Sequence, residues 1–159
     1  MSDNEKYTDF IFAPHLSRTR TNASGEVEVW AEGRGVWLRL TPEEEVRRRV
    51  VRHLVERLGM PLTHIVEEYP VRLNSQPQRA DIVAVDRELK PFLVVECKAP
   101  EVAINQSVID QVVRYNSVIG ARQVVVTNGR EVRAFSLTER GTYIPIDFPF
   151  RGILGLEES

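Results

Sequence analysis

Glu96 and Lys98 close the apolar run Pro91-Phe92-Leu93-Val94-Val95-Glu96-Cys97-Lys98, and Asp81 lies fifteen residues before Glu96 in Arg79-Ala80-Asp81-Ile82-Val83-Ala84-Val85. Lys98 is one of only three lysines in the chain. A strand this apolar belongs in a sheet interior, where charges are costly unless they are paired or hold a metal. Two carboxylates and an amine at one end of a sheet are the raw material of metal-assisted phosphodiester hydrolysis. The carboxylates can hold a divalent cation, and the amine can orient or deprotonate a water or stabilise charge building on a phosphate.

The elements must bring these residues together. Residues two apart on a strand face the same side, so Glu96 and Lys98 project together, about 6.6 Å apart along the strand, while Cys97 points the other way. The connection Asp86-Arg87-Glu88-Leu89-Lys90 is short enough for an antiparallel hairpin. If Asp86 pairs with Pro91, the register sets Asp81 directly opposite Glu96. Opposed carboxylates repel unless a cation lies between them. Mg²⁺ fits, because it accepts carboxylate and water oxygens in octahedral geometry; Mn²⁺ is the alternative ion. The same spacing is compatible with a salt-bridged cluster at the open end of a hairpin.

Other elements follow from the pattern. Residues 1–24 lack periodicity and read as an extended or loosely attached arm. Val27-Glu28-Val29-Trp30 and Val36-Trp37-Leu38-Arg39-Leu40 alternate around a glycine-containing turn and predict a hairpin, with the two tryptophans in sheet packing rather than base stacking. Thr41-Pro42-Glu43-Glu44 reads as a helix entry, with Thr41 as N-cap, Pro42 at the first position and Glu44 in the capping-box position. Val46, Val50, Leu54 and Leu58 mark its buried face, and Gly59 should stop it. Glu43 and Arg47 point along that face, Glu44 lies at its edge, and Glu45, Arg49 and Arg52 point away. The cluster Arg47, Arg48, Arg49, Arg52 and Arg57 is either a solvated helix face or a phosphate-contacting patch.

Strands are expected at 65–73, 80–86 and 91–98, then a helix over 105–119. On that helix Gln111 and Tyr115 share a face, where they could contact phosphate, brace the carboxylates or serve as buried hydrogen-bonding groups. Asn128-Gly129 between Gln123-Val124-Val125-Val126-Thr127 and Glu131-Val132-Arg133-Ala134-Phe135 predicts a hairpin. A last strand near 143–146 should lie at an edge, given Pro145 and Pro149. The organisation is an arm over 1–24, one domain over 25–150 and a tail over 151–159.

Composition narrows the function. The chain has 159 residues and a formal net charge of -2, so overall charge does not advertise a nucleic-acid binder. No apolar run reaches about 18 residues, so no membrane span is expected. The polar start is unlike a secretory signal, and the single cysteine suits the cytoplasm. His15, His53 and His64 are too scattered for a zinc site, and no Gly-x-Ser-x-Gly motif supports serine chemistry. There is no Gly-x-x-x-x-Gly-Lys-Ser/Thr, hence no ATP site.

Five blocks in order carry a resemblance: Thr41-Pro42-Glu43-Glu44-x-Val46-Arg47, Arg79-Ala80-Asp81-Ile82-Val83, Val95-Glu96-Cys97-Lys98-Ala99-Pro100, Asp110-Gln111-x-x-x-Tyr115-Asn116 and Thr127-Asn128-Gly129. The chain resembles the PD-(D/E)XK nuclease superfamily, more closely the N-terminal nuclease domain of type I restriction endonuclease R subunits. Ala80 stands where the superfamily has its name-giving proline. The resemblance implies an α/β fold with a central mixed sheet flanked by helices, a metal on Asp81 and Glu96, and Lys98 at the attacking water. It further implies a supporting glutamate on the first helix, for which Glu44 is preferred over Glu43, and a Gln111/Tyr115 pair beside the site. The expected activity is Mg²⁺-dependent DNA endonuclease chemistry. The alternative is a non-catalytic DNA-binding or assembly module. With no motor motif, the expectation is a stand-alone nuclease-like domain whose motor or specificity function sits on a separate protein. A homodimer through the N-terminal hairpin is the oligomer to test.

Overall fold

A computed structural model describes residues 6–148. The expected 151–159 tail, along with the first five residues and Pro149, lies outside the described residues. The elements are β1 (Thr19–Thr21), β2 (Val27–Ala31), β3 (Val36–Arg39), α1 (Pro42–Glu56), a 3-10 turn (Leu62–His64), β4 (Ile65–Leu73), β5 (Gln76–Val85), β6 (Pro91–Cys97), α2 (Gln106–Ile119), β7 (Gln123–Thr127), β8 (Val132–Leu137) and β9 (Tyr143–Pro145).

A three-stranded sheet β1-β2-β3 accompanies a six-stranded sheet β4-β5-β6-β7-β8-β9 in sequence order. All pairings in the large sheet are antiparallel except β6 with β7, which are parallel and joined through α2. This is the expected α/β arrangement, with β9 at an edge. Each face of the sheet is covered. Ile82, Ala84, Val95, Cys97 and Val125 share one cluster with Val46, Val50 and Leu54 of α1. Val83, Val85, Val94, Val124 and Val126 share the other with Val112 and Tyr115 of α2. The alternation along β5, β6 and β7 follows from the strand period. Among the described residues no helix is long and apolar enough to cross a membrane.

Both helices begin as their sequences dictate. Thr41 accepts the Glu44 N–H at 3.1 Å, and Asn105 accepts the Val108 N–H at 3.2 Å. Helix α1 ends at Glu56, two residues before Leu58, with Gly59 following in the left-handed region at φ 69°.

Four expectations change. The N-terminal segment, from residue 6, is packed rather than loose: Tyr7 and Phe12 are buried, Thr19–Thr21 pairs with β2, and the Ile11 N–H donates to the Gly129 carbonyl at 2.8 Å. Gly129 is required there, since its φ is 88° and a Cβ would meet the Phe10 ring at 2.9 Å. That packing covers Arg49 and part of Arg52, and ion pairs with Glu44, Glu67 and Glu68 bury Arg47 and Arg48, so of the cluster only Arg57 is exposed. Arg49 donates to the Phe12 carbonyl at 3.2 Å and lies over the Phe10 ring at 4.7 Å. Arg52 donates to the Pro14 carbonyl. The third change concerns β5, which starts at Gln76 rather than near residue 80. The last is the β5–β6 turn: Val85, not Asp86, pairs with Pro91, because a bulge between Ala84 and Val85 shifts the register.

Trp30 and Trp37 pair directly across β2 and β3 with centroids 5.3 Å apart, as sheet packing predicts, and Arg20 covers Trp37 at 4.3 Å.

Candidate active site

The bulge leaves the functional end of the hairpin in the expected register. Ile82 pairs with Val95, and extending that register by one residue sets Asp81 opposite Glu96. Backbone pairing of β5 with β6 ends there, and the Asp81 side chain takes over: its Oδ2 accepts the Cys97 N–H at 2.8 Å. On its other edge β6 is fixed by β7, with Glu96 opposite Val126 and Cys97 opposite Thr127. The Lys98 N–H continues this ladder to the Thr127 carbonyl at 2.8 Å. The loop after β7 is rigid in turn, because Asn128 accepts the Arg130 and Glu131 N–H groups and donates to the Val102 carbonyl at 2.8 Å.

Glu96 is 6% exposed. Its Oε1 is 3.8 Å from Lys98 Nζ, while its Oε2 is buried with no hydrogen-bond partner. Burial, then repulsion from the Asp81 carboxylate, pushes the Glu96 carboxyl up to about 9, against the pull of Lys98. A buried carboxylate with an orphan oxygen facing a second carboxylate suits a divalent cation. Mg²⁺ needs only one or two protein carboxylates and fills its remaining positions with water. Among the described residues no group of three or more His, Cys, Asp or Glu side chains is arranged to hold a metal, so a site here is this two-carboxylate kind.

Lys98 Nζ donates to Gln111 Oε1 at 3.2 Å, and Gln111 Nε2 donates to Tyr115 Oη at 3.1 Å. The i, i+4 spacing on α2 therefore forms a relay that ends on the lysine.

The three consecutive glutamates of α1 have three different surroundings. Glu44 is buried between Arg47 at 3.0 Å and Arg48 at 2.9 Å. Glu45 meets Arg49 at 2.9 Å and His15 at 2.8 Å. Glu43 is the one in the field of the site: burial, then Asp81, raises its carboxyl, opposed by Arg47 and Lys98. Glu43 is thus the helix glutamate whose charge is coupled to Asp81 and Lys98, while Glu44 is engaged by two arginines. Facing direction on an ideal helix could have found this, since Glu43 lies with Arg47 on the inward face, but the capping-box pattern pointed to Glu44.

Two further residues border the site: Arg47, expected on the inward face of α1, and Glu68, which no sequence pattern marks. Arg47 joins Glu44 to Asp81 Oδ1, at 3.9 Å, and to Glu68 Oε1, at 3.4 Å. Glu68 itself sits at φ 52° in a strand, a conformation uncommon for a non-glycine residue. Nothing in the alternation of β4 signals that conformation.

Residues 42–148 match the family described as "Type I restriction enzyme R protein N terminus (HSDR_N)". A solved structure, "The fragment structure of a putative HsdR subunit of a type I restriction enzyme from Vibrio vulnificus YJ016", is similar over 67% of this chain, with a TM-score of 0.52 and 23% identity. The chain spans 23% of the length of that solved relative. No match is found among curated proteins. With the family match covering about two thirds of its length, this chain belongs to the family of type I restriction enzyme R protein N-terminal domains.

Proposed function

We propose that this domain is a divalent-metal-dependent DNA endonuclease, hydrolysing phosphodiester bonds at Asp81, Glu96 and Lys98. The observation that carries the reading is the buried Glu96 carboxyl set against the Asp81 carboxyl, with a buried Oε2 that no cationic or N–H donor reaches. Asp81 and Glu96 hold Mg²⁺, or Mn²⁺, with the Cys97 carbonyl as a further oxygen. The ion, when bound, polarises the phosphoryl oxygen and acidifies a coordinated water.

The chain's own groups do the rest. The Cys97 N–H fixes Asp81 through its Oδ2, leaving Oδ1 for the ion. Lys98 orients the attacking water and offsets the charge that develops on the phosphate. Gln111, whose Nε2 donates to Tyr115 Oη, holds the ammonium in place through its Oε1. Glu43, beside Asp81 and Lys98, takes the role of the supporting helix glutamate.

A second reading has its own observation. Arg47 approaches Asp81 at 3.9 Å and Lys98 approaches Glu96 at 3.8 Å, so each carboxylate has a protein cation and the cluster could be a static brace in a DNA-binding module. Cleavage of supercoiled plasmid with and without Mg²⁺ separates the two. The nuclease reading expects Mg²⁺-dependent nicking that drops by at least about 10²-fold in Lys98→Ala and Asp81→Asn. Equal behaviour of all three proteins would sink it.

A further inference from the structure

The β4–β5 hairpin is longer than the sheet that carries it. β5 pairs with β6 only from Ile82 to Val85, but with β4 from Gln76 to Ala84. Residues 69–80 therefore form a two-stranded ribbon that continues past Asp81, beyond the end of β6. Its tip is Asn74-Ser75, both at positive φ (49° and 65°), the two-residue turn whose twist matches its strands. A lone two-stranded ribbon is marginal in water. This one is anchored along one face, where Val71 and Ala80, with Tyr69 and Leu73, pack into the cluster containing Val112 and Tyr115 of α2. The opposite face presents Pro70 across from Arg79 and Arg72 across from Pro77, all four exposed.

The ribbon's chemistry differs from that of the whole. The chain has a net charge of -2, yet residues 69–80 hold two arginines and no carboxylate. Arg79 is steadied by Glu68 at 3.0 Å, which also reaches Arg34 at 3.5 Å and Arg47 at 3.4 Å. Arg47 approaches Asp81 at 3.9 Å, so ion pairs tie the cationic face to the candidate site. Arg72 has no ion-pair partner among the described residues. Asn74, Ser75, Gln76 and Gln78 are exposed at and near the tip. Pro70 and Pro77 remove edge N–H donors, which disfavours capture of another strand.

We propose that this ribbon is a duplex-DNA contact surface. Arg72 and Arg79 neutralise phosphates beside the metal site, and Asn74 and Ser75 at the tip meet base edges in the major groove. That groove admits a two-stranded β-ribbon, and side-chain amides pair with adenine there. The choice of DNA as partner rests on the nuclease reading above.

The test is fluorescence anisotropy of the full chain on a labelled duplex at several salt concentrations, with Ca²⁺ in place of Mg²⁺. Each lost phosphate contact lowers the slope of log K against log salt by about 0.9, so Arg72→Ala/Arg79→Ala should lower it by about 1.8. Arg87→Ala, exposed in the turn at the far end of β5, should keep the wild-type slope. Asn74→Gly, which keeps the positive φ of the turn, should narrow the spread of affinities across different duplex sequences while keeping the slope. An unchanged slope in the double arginine variant overturns the proposal, and so does a loss confined to single strands. Plasmid cleavage keeps the two readings distinguishable. Ribbon-dependent binding without any Mg²⁺-dependent nicking removes the nuclease reading alone, whereas nicking with ribbon-independent binding removes the ribbon alone.

Discussion

Helix α1 and the end of β6 both bury charge, and they do so in opposite ways. On α1 every buried carboxylate meets a cation: Glu44 meets Arg47 and Arg48, and Glu45 meets Arg49 and His15. Glu67 of β4 joins them through Arg48. At the end of β6, Glu96 faces Asp81 instead, keeps a buried oxygen with no partner, and has its carboxyl pushed up to about 9. The first arrangement closes a structural network. The second opposes two carboxyl groups that Lys98 at 3.8 Å and Arg47 at 3.9 Å offset only in part, so a proton or an external cation is favoured there.

The comparison breaks most visibly at Arg48. Arg48→Ala leaves Glu67 buried without its ion-pair partner, and urea unfolding should show a loss of about 3–5 kcal/mol. The paired helix glutamate comes next. Glu44→Gln, which weakens two charge-assisted bonds, should cost about 1.5–3 kcal/mol. Glu43→Gln should cost less than that in stability, yet it should be the one to reduce plasmid nicking. The opposite assignment of the two effects would restore Glu44 to the site.

One stability effect has the opposite sign. Glu96→Gln should make the metal-free protein more stable than the wild type at pH 8. The raised carboxyl fixes the pH dependence. Between 4.5 and about 9 the folded state keeps a proton that the unfolded state has released. Metal-free stability contributed by this group therefore falls as pH rises through that window. A bound cation displaces the proton, so the increase in Tm on adding Mg²⁺ should grow with pH over the same range. Glu96→Gln should flatten both trends in differential scanning fluorimetry.

Much of this was legible in the sequence because it depends on local rules. Thr41-Pro42 and the every-fourth-residue pattern through Val46, Val50 and Leu54 specify α1, and strand alternation places Glu96 with Lys98 and buries Cys97. The opposition of Asp81 and Glu96 was also readable, although by way of a turn register that a bulge at Ala84/Val85 replaces. Illegible features depend on distant contacts. Arg49 points away from the α1 core stripe, as the helical period says, and is buried only because residues 7–15 fold over it. Glu68 adopts a left-handed conformation that its neighbours in β4 do not foretell. The ribbon reads as polar sequence, since four exposed residues of β5, Gln76 to Arg79, show no alternation of apolar and polar side chains.

Calorimetric titration of Mn²⁺ into metal-free protein at pH 8 asks whether the opposed Asp81 and Glu96 carboxyl groups bind a cation, without requiring cleavage. The account predicts saturable binding that is lost in Asp81→Asn and in Glu96→Gln and kept in Glu44→Gln. Equal binding by wild type and both site variants, or none by wild type, would contradict it.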